Sequence, residues 1–242
     1  MKGIFVRRYC FEHLPNIRDL GGIPLPCGKF TRPLQFIRSD APVLLTKNEQ
    51  SEIQLMGIRT IVDLRSEHEV ESHPNVLAGE KDIHYHLCPQ KGGWEMPSRE
   101  EDIPATYMRI ASGFDRVLPV LQIFAEAPNA VLFHCAAGKD RTGVFAALLL
   151  LIAGALPCDI VADYEVSYIY RKAVIDEKHR ANPGIPYFWS LSRPEYMIEF
   201  LHLFTLRYGD IANYCKEIGL SHTAFSAIQN KLTGSPIHFC SC

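Results

Sequence analysis

Cys135 and Arg141 stand six positions apart, and no other cysteine in the 242-residue chain is followed by an arginine at that spacing. Between them lie Ala136, Ala137, Gly138, Lys139 and Asp140, small or polar residues suited to a tight loop, and Thr142 and Gly143 follow. A thiol, a guanidinium and a run of backbone amides within ten residues suit attack of sulfur on phosphorus inside a cradle that binds its oxygens. Successive N–H groups in a concave turn bind anions, and the start of a helix adds its positive end. The same field favours a negatively charged sulfur at Cys135. Arg141 can hold two phosphate oxygens at once through its planar fork. Lys139 adds a second positive charge, Thr142 is expected to donate a hydroxyl hydrogen bond to the sulfur, and His134 to brace the loop by hydrogen bonds to its backbone. Residues Ala136 to Thr142 form the expected phosphate-binding set. The competing interpretation is a buried cysteine in an ordinary strand-to-helix turn. The consecutive charges Lys139, Asp140 and Arg141 at the mouth of an apolar run argue against it.

Such a loop needs a strand to enter it and a helix to leave it. Ala130 to Phe133 reads as a central strand, and Thr142 to Ile152 as a buried helix closed by Gly154. Upstream, Phe36 to Arg38 suits a short strand. Thr46 with Glu49 three residues on suits a capping box opening a helix through Met56, ended by Gly57. The β-branched run Ile58 to Leu64 predicts a buried strand, Ser66 to Glu71 an exposed turn or helix, and Ile83 to Leu87 a half-buried strand. Lys91 to Asp102 is polar and glycine-bearing and reads as a mobile loop. Ala105 to Phe124 reads as one helix in spite of Gly113 and Pro119. From Ile160 the pattern is helical, interrupted between Gly184 and Arg193. Strands alternating with helices predict an α/β fold, a central mostly parallel sheet flanked by helices, with a helical C-terminal region, in a single domain over 1–242.

The segment His134-Cys135-Ala136-Ala137-Gly138-Lys139-Asp140-Arg141-Thr142-Gly143 resembles the signature loop of the cysteine-dependent protein tyrosine phosphatases. Its Lys-Asp pair resembles a bacterial and fungal branch of broad specificity. Asn16 to Gly22, Phe36 to Asp40, Gly57 to Ser66, and the stretch from Arg207 to Leu220 fit that branch as well, so the resemblance covers most of the chain. It implies hydrolysis of phosphate monoesters, most of all protein phosphotyrosine, with phosphoserine, phosphothreonine or phosphoinositide as further substrates. It also implies phosphate or sulfate bound in the loop, and a helical insertion over about 164–197 that can act as a lid on the site.

In that mechanism Cys135 attacks in line to form a cysteinyl phosphate. Arg141 and the loop amides bind the equatorial oxygens where charge sits in the transition state. No metal or other cofactor is needed, because loop and arginine supply the positive field. A general acid must protonate the leaving oxygen and then act as base on water. Many relatives place it in a Trp-Pro-Asp loop, which this chain lacks; Trp94-Glu95-Met96-Pro97 has another order. Asp140, inside the loop, is the first candidate. Asp63, at the end of a strand, is the second, set against a salt bridge to Arg65. Asp102 and Glu95 are the others. Arg18 with Asp19, and Arg38 with Asp40, either reach the site or form ion pairs that hold the N-terminal segment. His84 and His86 share a strand face as metal ligands would, but no third ligand stands near them in sequence.

Composition bounds the rest. A net charge of −2 argues against a general nucleic-acid binder, while leaving room for local positive charge. Val144 to Leu156, the most apolar run, is shorter than the ~20 residues a bilayer requires, and no signal peptide is evident, so a cytoplasmic location is expected. The 8 cysteines are scattered and expected to be reduced. Two other readings stay open: a module that binds phosphorylated ligands without hydrolysing them, and a sulfur-transfer or arsenate-reducing enzyme.

Overall fold

The computed structural model of the chain describes residues 7–26, 28–90 and 97–234. Its centre is a five-stranded sheet in the order β1-β2-β5-β3-β4, with β1 Arg18–Asp19, β2 Phe36–Ser39, β3 Ile58–Asp63, β4 His84–Leu87 and β5 Ala130–His134. Only β1 runs antiparallel to its neighbour; the other pairings are parallel. β5 lies in the middle, bonded to β2 on one side and β3 on the other. Its side chains are all buried, which is why it reads as a continuous apolar run rather than an alternating one.

Alternation along the strands still sorts two cores. Phe36, Val62, Leu64, Val131 and Phe133 pack into a large helical layer on one face. Ile37, Ile58, Ile61, Ala130 and Leu132 pack with Phe11, Leu14, Ile17 and helix α1 (Lys47–Leu55) on the other. Thr46 and Glu49 cap α1 in the reciprocal capping box expected of them. A second capping box, Ser66 with Glu69, opens the short helix α2 (Glu67–Ser72).

The single helix expected over 105–124 is two, α3 (Ile103–Ala111) and α4 (Phe114–Glu126), parted at Gly113, whereas Pro119 lies inside α4 without ending it. The helix after the Cys135–Lys139 loop, α5 (Asp140–Ala153), starts two residues before the expected point, so Asp140 and Arg141 sit in its first turn. Nearly all its side chains are buried, and it ends at Gly154 with φ +80°. Then come the 25-residue α6 (Pro157–Ala181), a 3-10 turn at Tyr187–Ser190, and α7 (Pro194–Tyr208), α8 (Ile211–Glu217) and α9 (His222–Thr233). Of the segment read as a mobile loop, 91–96 lies outside the described residues and Glu100–Asp102 forms a 3-10 turn. Among the described residues no helix is long and apolar enough to cross a membrane.

Candidate active site

Cys135 follows β5 at the carboxyl edge of the parallel strands, where α/β sheets bind ligands. It is 2% exposed. The loop it opens turns at Gly138, whose φ is +63°. A Cβ there would lie 2.3 Å from the Ser39 carbonyl oxygen, so both backbone sign and space demand glycine.

Five successive carbonyls of this loop are tied to groups outside it. Cys135 O pairs with His134 Nδ1 at 3.2 Å, and Ala136 O accepts from Ala41 N at 3.2 Å. Ala137 O and Gly138 O accept from Asn16 Nδ2 at 2.9 and 3.1 Å. Gly138 O and Lys139 O accept from Arg38 Nη2 at 2.8 and 3.4 Å. In a trans peptide the N–H points opposite to the C=O, and the chain has no cis bond among its described residues. The amides of residues 136 to 140 therefore turn the other way, into the loop, where the unpaired first N–H groups of α5 join them.

Arg141 is fixed from behind. Its Nη1 and Nη2 each donate to a different oxygen of Glu69 at 2.7 Å, and Nη1 also donates to Leu64 O at 3.2 Å. Of five guanidinium N–H groups, these bonds leave the Nε–H and one Nη2–H, which form the side-on pair suited to two oxygens of one phosphate. Burial works against the Arg141 charge, but Glu69 and the Cys135 sulfur outweigh it and hold the group more firmly protonated than usual. Glu69 responds in kind: burial is overcome by Arg141, and its carboxyl lies below the ordinary range.

Asp140 has a partly exposed carboxylate at the loop mouth, 3.3 Å from Lys139 Nζ. Tyr107 donates its hydroxyl hydrogen to Asp140 Oδ1 at 2.6 Å, and Tyr164 lies 2.6 Å from the same Tyr107 oxygen. Because Tyr107 has one hydrogen and gives it to the carboxylate, Tyr164 donates to Tyr107. Burial, then Asp140, push the Tyr107 hydroxyl far above its ordinary range, so it remains a donor.

The other expected site residues fall into separate roles. Lys139 is 2% exposed, with Nζ donating at 2.7 Å to the carbonyls of both Trp189 and Leu191. Burial lowers its pKa against the pull of Asp140. It therefore ties the loop to the segment after α6, with its ammonium also beside Asp140. The Thr142 hydroxyl is buried and makes no hydrogen bond among the described residues, so the expected bond to sulfur is not formed. His134 is buried and pushed down to about 4 by burial, against the pull of Asp63. It is neutral, and since Asn75 Oδ1 accepts from Leu77 N, Asn75 Nδ2 faces His134 Nε2 and donates to it at 2.9 Å. The proton on Nδ1 then points at Cys135 O.

Asp63 is 0% exposed and forms the salt bridge to Arg65 at 2.6 Å, with Tyr85 donating to it at 2.8 Å. Burial is overcome by the charge and hydrogen bonds of Arg65, which keep it ionised. A carboxylate so buried and so fully committed has no proton to give, and Asp140 differs from it in being partly exposed. Asp102 lies at the surface, paired with Arg99 at 2.9 Å. Glu95 lies outside the described residues. Arg18 does not pair with Asp19, nor Arg38 with Asp40; both arginines pair with Asp163 of α6, at 3.1 and 2.7 Å. Glu69, Tyr107, Asn75 and Asp163 carry no signal in the linear motif. Only Glu69 has a local one, as the third helical residue of a capping box. Among the described residues no group of three or more His, Cys, Asp or Glu side chains is arranged to hold a metal.

Comparison with known proteins agrees with this geometry. A sequence profile described as the tyrosine phosphatase family matches residues 9–234. A protein of Cupriavidus necator, provisionally named a tyrosine-protein phosphatase, is 33% identical over 175 residues, which span 64% of this chain and 60% of that protein. A protein of Nostoc commune named a tyrosine-protein phosphatase is 27% identical over 219 residues, 81% of this chain and 74% of that one. With nearly the whole described chain inside the profile, and the loop, arginine and sheet edge in the arrangement above, this chain belongs to the tyrosine phosphatase family.

Proposed function

We propose that the protein hydrolyses phosphate monoesters through a cysteinyl-phosphate intermediate, with protein phosphotyrosine as its main substrate. The observation that carries the proposal is the run of outward-tied carbonyls from Cys135 to Lys139, which leaves the intervening amides turned into the loop that Cys135 opens. The Cys135 sulfur attacks phosphorus, the S–P bond forms, and the bond to the leaving oxygen breaks as Asp140 delivers a proton to that oxygen. Water then attacks phosphorus, Asp140 takes its proton, and the S–P bond breaks to release phosphate. The free side-on edge of Arg141 and the loop amides hold the equatorial oxygens throughout. Asp140 is favoured over Asp63 as acid and base because it is partly exposed and hydrogen-bonded through a single tyrosine, while Asp63 is sealed in its pair with Arg65.

Phosphoinositide is the second reading, together with phosphoserine and phosphothreonine as lesser substrates. Lys139 would be the residue to favour a lipid headgroup, and its attachment to the Trp189 and Leu191 carbonyls counts for phosphotyrosine instead. We further propose that the stretch over about 164–197 acts as a lid, with Lys139 as its latch on the loop and the Trp189 indole, which donates to Pro97 O at 2.9 Å, as its second attachment. The described cysteines are free thiols, which suits a reducing, cytoplasmic setting.

The test is phosphate release by wild type and Cys135→Ser, with chelator present, on a phosphotyrosine peptide and a phosphoinositide in parallel. Turnover that survives chelator and vanishes in the variant is expected, with the peptide the better substrate. Unchanged turnover in Cys135→Ser would overturn the mechanism, and a lipid preference would reverse the ranking.

A further inference from the structure

Asp163 takes no part in the chemistry above, yet three arginines converge on it. Its Oδ1 accepts from Arg7 Nη2 at 2.7 Å and Arg18 Nε at 3.1 Å, and its Oδ2 from Arg38 Nη1 at 2.7 Å. Its backbone carbonyl accepts from Arg18 Nη2 at 2.7 Å. Asp163, Arg18 and Arg38 are all buried. Burying several charges costs more than an apolar core would unless the geometry is nearly ideal, so such a cluster is weak as a source of stability.

The far ends of the arginines lead to the catalytic loop. Arg38 spends its other terminal nitrogen on Gly138 O at 2.8 Å. Arg18 Nη1 donates to Asn16 Oδ1 at 2.6 Å and Asn16 O at 3.0 Å. With its oxygen pinned by Arg18, the Asn16 amide has its nitrogen facing Ala137 O and Gly138 O. One carboxylate thus anchors two arms, and both arms end on the loop's carbonyls. If the arms let go, those peptide units are free to rotate, and a rotated unit offers the bound anion a carbonyl oxygen in place of an N–H.

We propose that Asp163 is a positioning residue that, through Arg38 and through Arg18 with Asn16, keeps the amides of Gly138 and Lys139 turned towards the phosphate bound above Cys135. The proposal rests on the phosphatase reading for the identity of the ligand. A purely structural salt-bridge cluster would alter stability alone. A positioning cluster alters anion affinity in protein that is still folded.

The experiment measures how inorganic phosphate protects Cys135 from alkylation by iodoacetate, in wild type, Asp163→Asn and Asn16→Ala, below the unfolding range of each. Asn16→Ala removes the loop contact while leaving the charge cluster intact, so it decides the matter if Asp163→Asn does not fold. The phosphate concentration giving half protection is expected to rise at least ~10-fold in either folded variant, in keeping with the cost of misplacing an oxyanion donor. Unchanged protection in folded variants, or a wild-type loop that phosphate does not protect, would overturn the proposal. Wild-type protein that is protected but hydrolyses no phosphate ester would defeat the phosphatase reading and leave the positioning role standing.

Discussion

Glu69 and Arg141 meet carboxylate to guanidinium through two hydrogen bonds of 2.7 Å, across 72 positions of sequence. Glu69 is itself held by the Ser66 amide at 2.9 Å, so the first turn of α2 fixes the orientation of the Arg141 guanidinium. Glu69→Gln keeps the cap and removes the charge. It is expected to lower kcat/KM for a phosphate ester by roughly 10- to 100-fold, the size of a lost charge-assisted pair. Steady-state kinetics beside a thermal melt check this, and unaltered kinetics would show that Arg141 needs no backing.

Asp140 accepts a hydrogen bond from the Tyr107 hydroxyl, and Tyr107 accepts one from Tyr164. If Asp140 protonates the leaving oxygen, the rate should depend on how badly that oxygen needs a proton. Asp140→Asn is expected to slow an alkyl phosphate by ~100-fold or more, and p-nitrophenyl phosphate much less, because nitrophenolate leaves without help. Tyr107→Phe should show the same pattern at about a tenth of the size. Equal losses on both substrates would move the proton donor elsewhere.

His134 accepts from Asn75 only while neutral, and burial pushes it from 6.5 down to about 4. The unfolded chain therefore binds a proton that the folded chain refuses between those values. Stability is full above about pH 6.5 and falls as the pH drops towards 4, by up to about 3 kcal/mol. Asp40, raised by burial to about 6, has the opposite sign: its protonated form suits the fold, so its contribution grows on acidification and offsets part of the loss. Urea unfolding at pH 7 and pH 5 should show a steeper fall in wild type than in His134→Asn. Equal slopes would mean that His134 is protonated in the fold.

Lys139 joins the loop to the Trp189 and Leu191 carbonyls. Lys139→Met keeps the buried stem and removes the latch. Chymotryptic cutting at Tyr187, Phe188 or Trp189 is expected to speed up several-fold, by loss of two charge-assisted bonds that hold the segment. Cleavage at the wild-type rate would remove Lys139 from the lid.

The loop from Cys135 to Arg141 was legible because its parts are contiguous: cysteine, glycine turn, arginine and helix start all fall within ten residues. The strands were legible for a similar reason, since β5 is buried throughout and β3 is buried apart from Arg59. What surrounds the loop was not. Asp163 lies 145 positions from Arg18 and sits in a helix rich in charged residues, where nothing separates it from a solvated neighbour. The pairings Arg18 with Asp19 and Arg38 with Asp40 looked natural from proximity, but Asp40 lies past the end of β2 and accepts from the Asn16 amide at 3.2 Å, while Arg18 and Asp19, adjacent on a strand, point to opposite faces. Asp19 turns instead to the Gly21 and Leu34 amides. The early start of α5 has the same origin. The loop carbonyls just before Asp140 are held by Asn16 and Arg38, and these ties have no local pattern.

The place of β5 sets how the protein's reactivity ages with damage or heat. Val131, Leu132 and Phe133 are wholly shielded, and their strand is bonded on both sides. Their amides should exchange with solvent deuterium only when the whole molecule opens, at the slow end of the exchange spectrum, while the surface helices exchange by local fraying. Cys135 directly follows the last residue of that strand, His134. Its surroundings are thus inherited from the most cooperative part of the molecule. Mildly destabilising changes far away should reduce how many molecules are active, while each surviving molecule keeps full turnover.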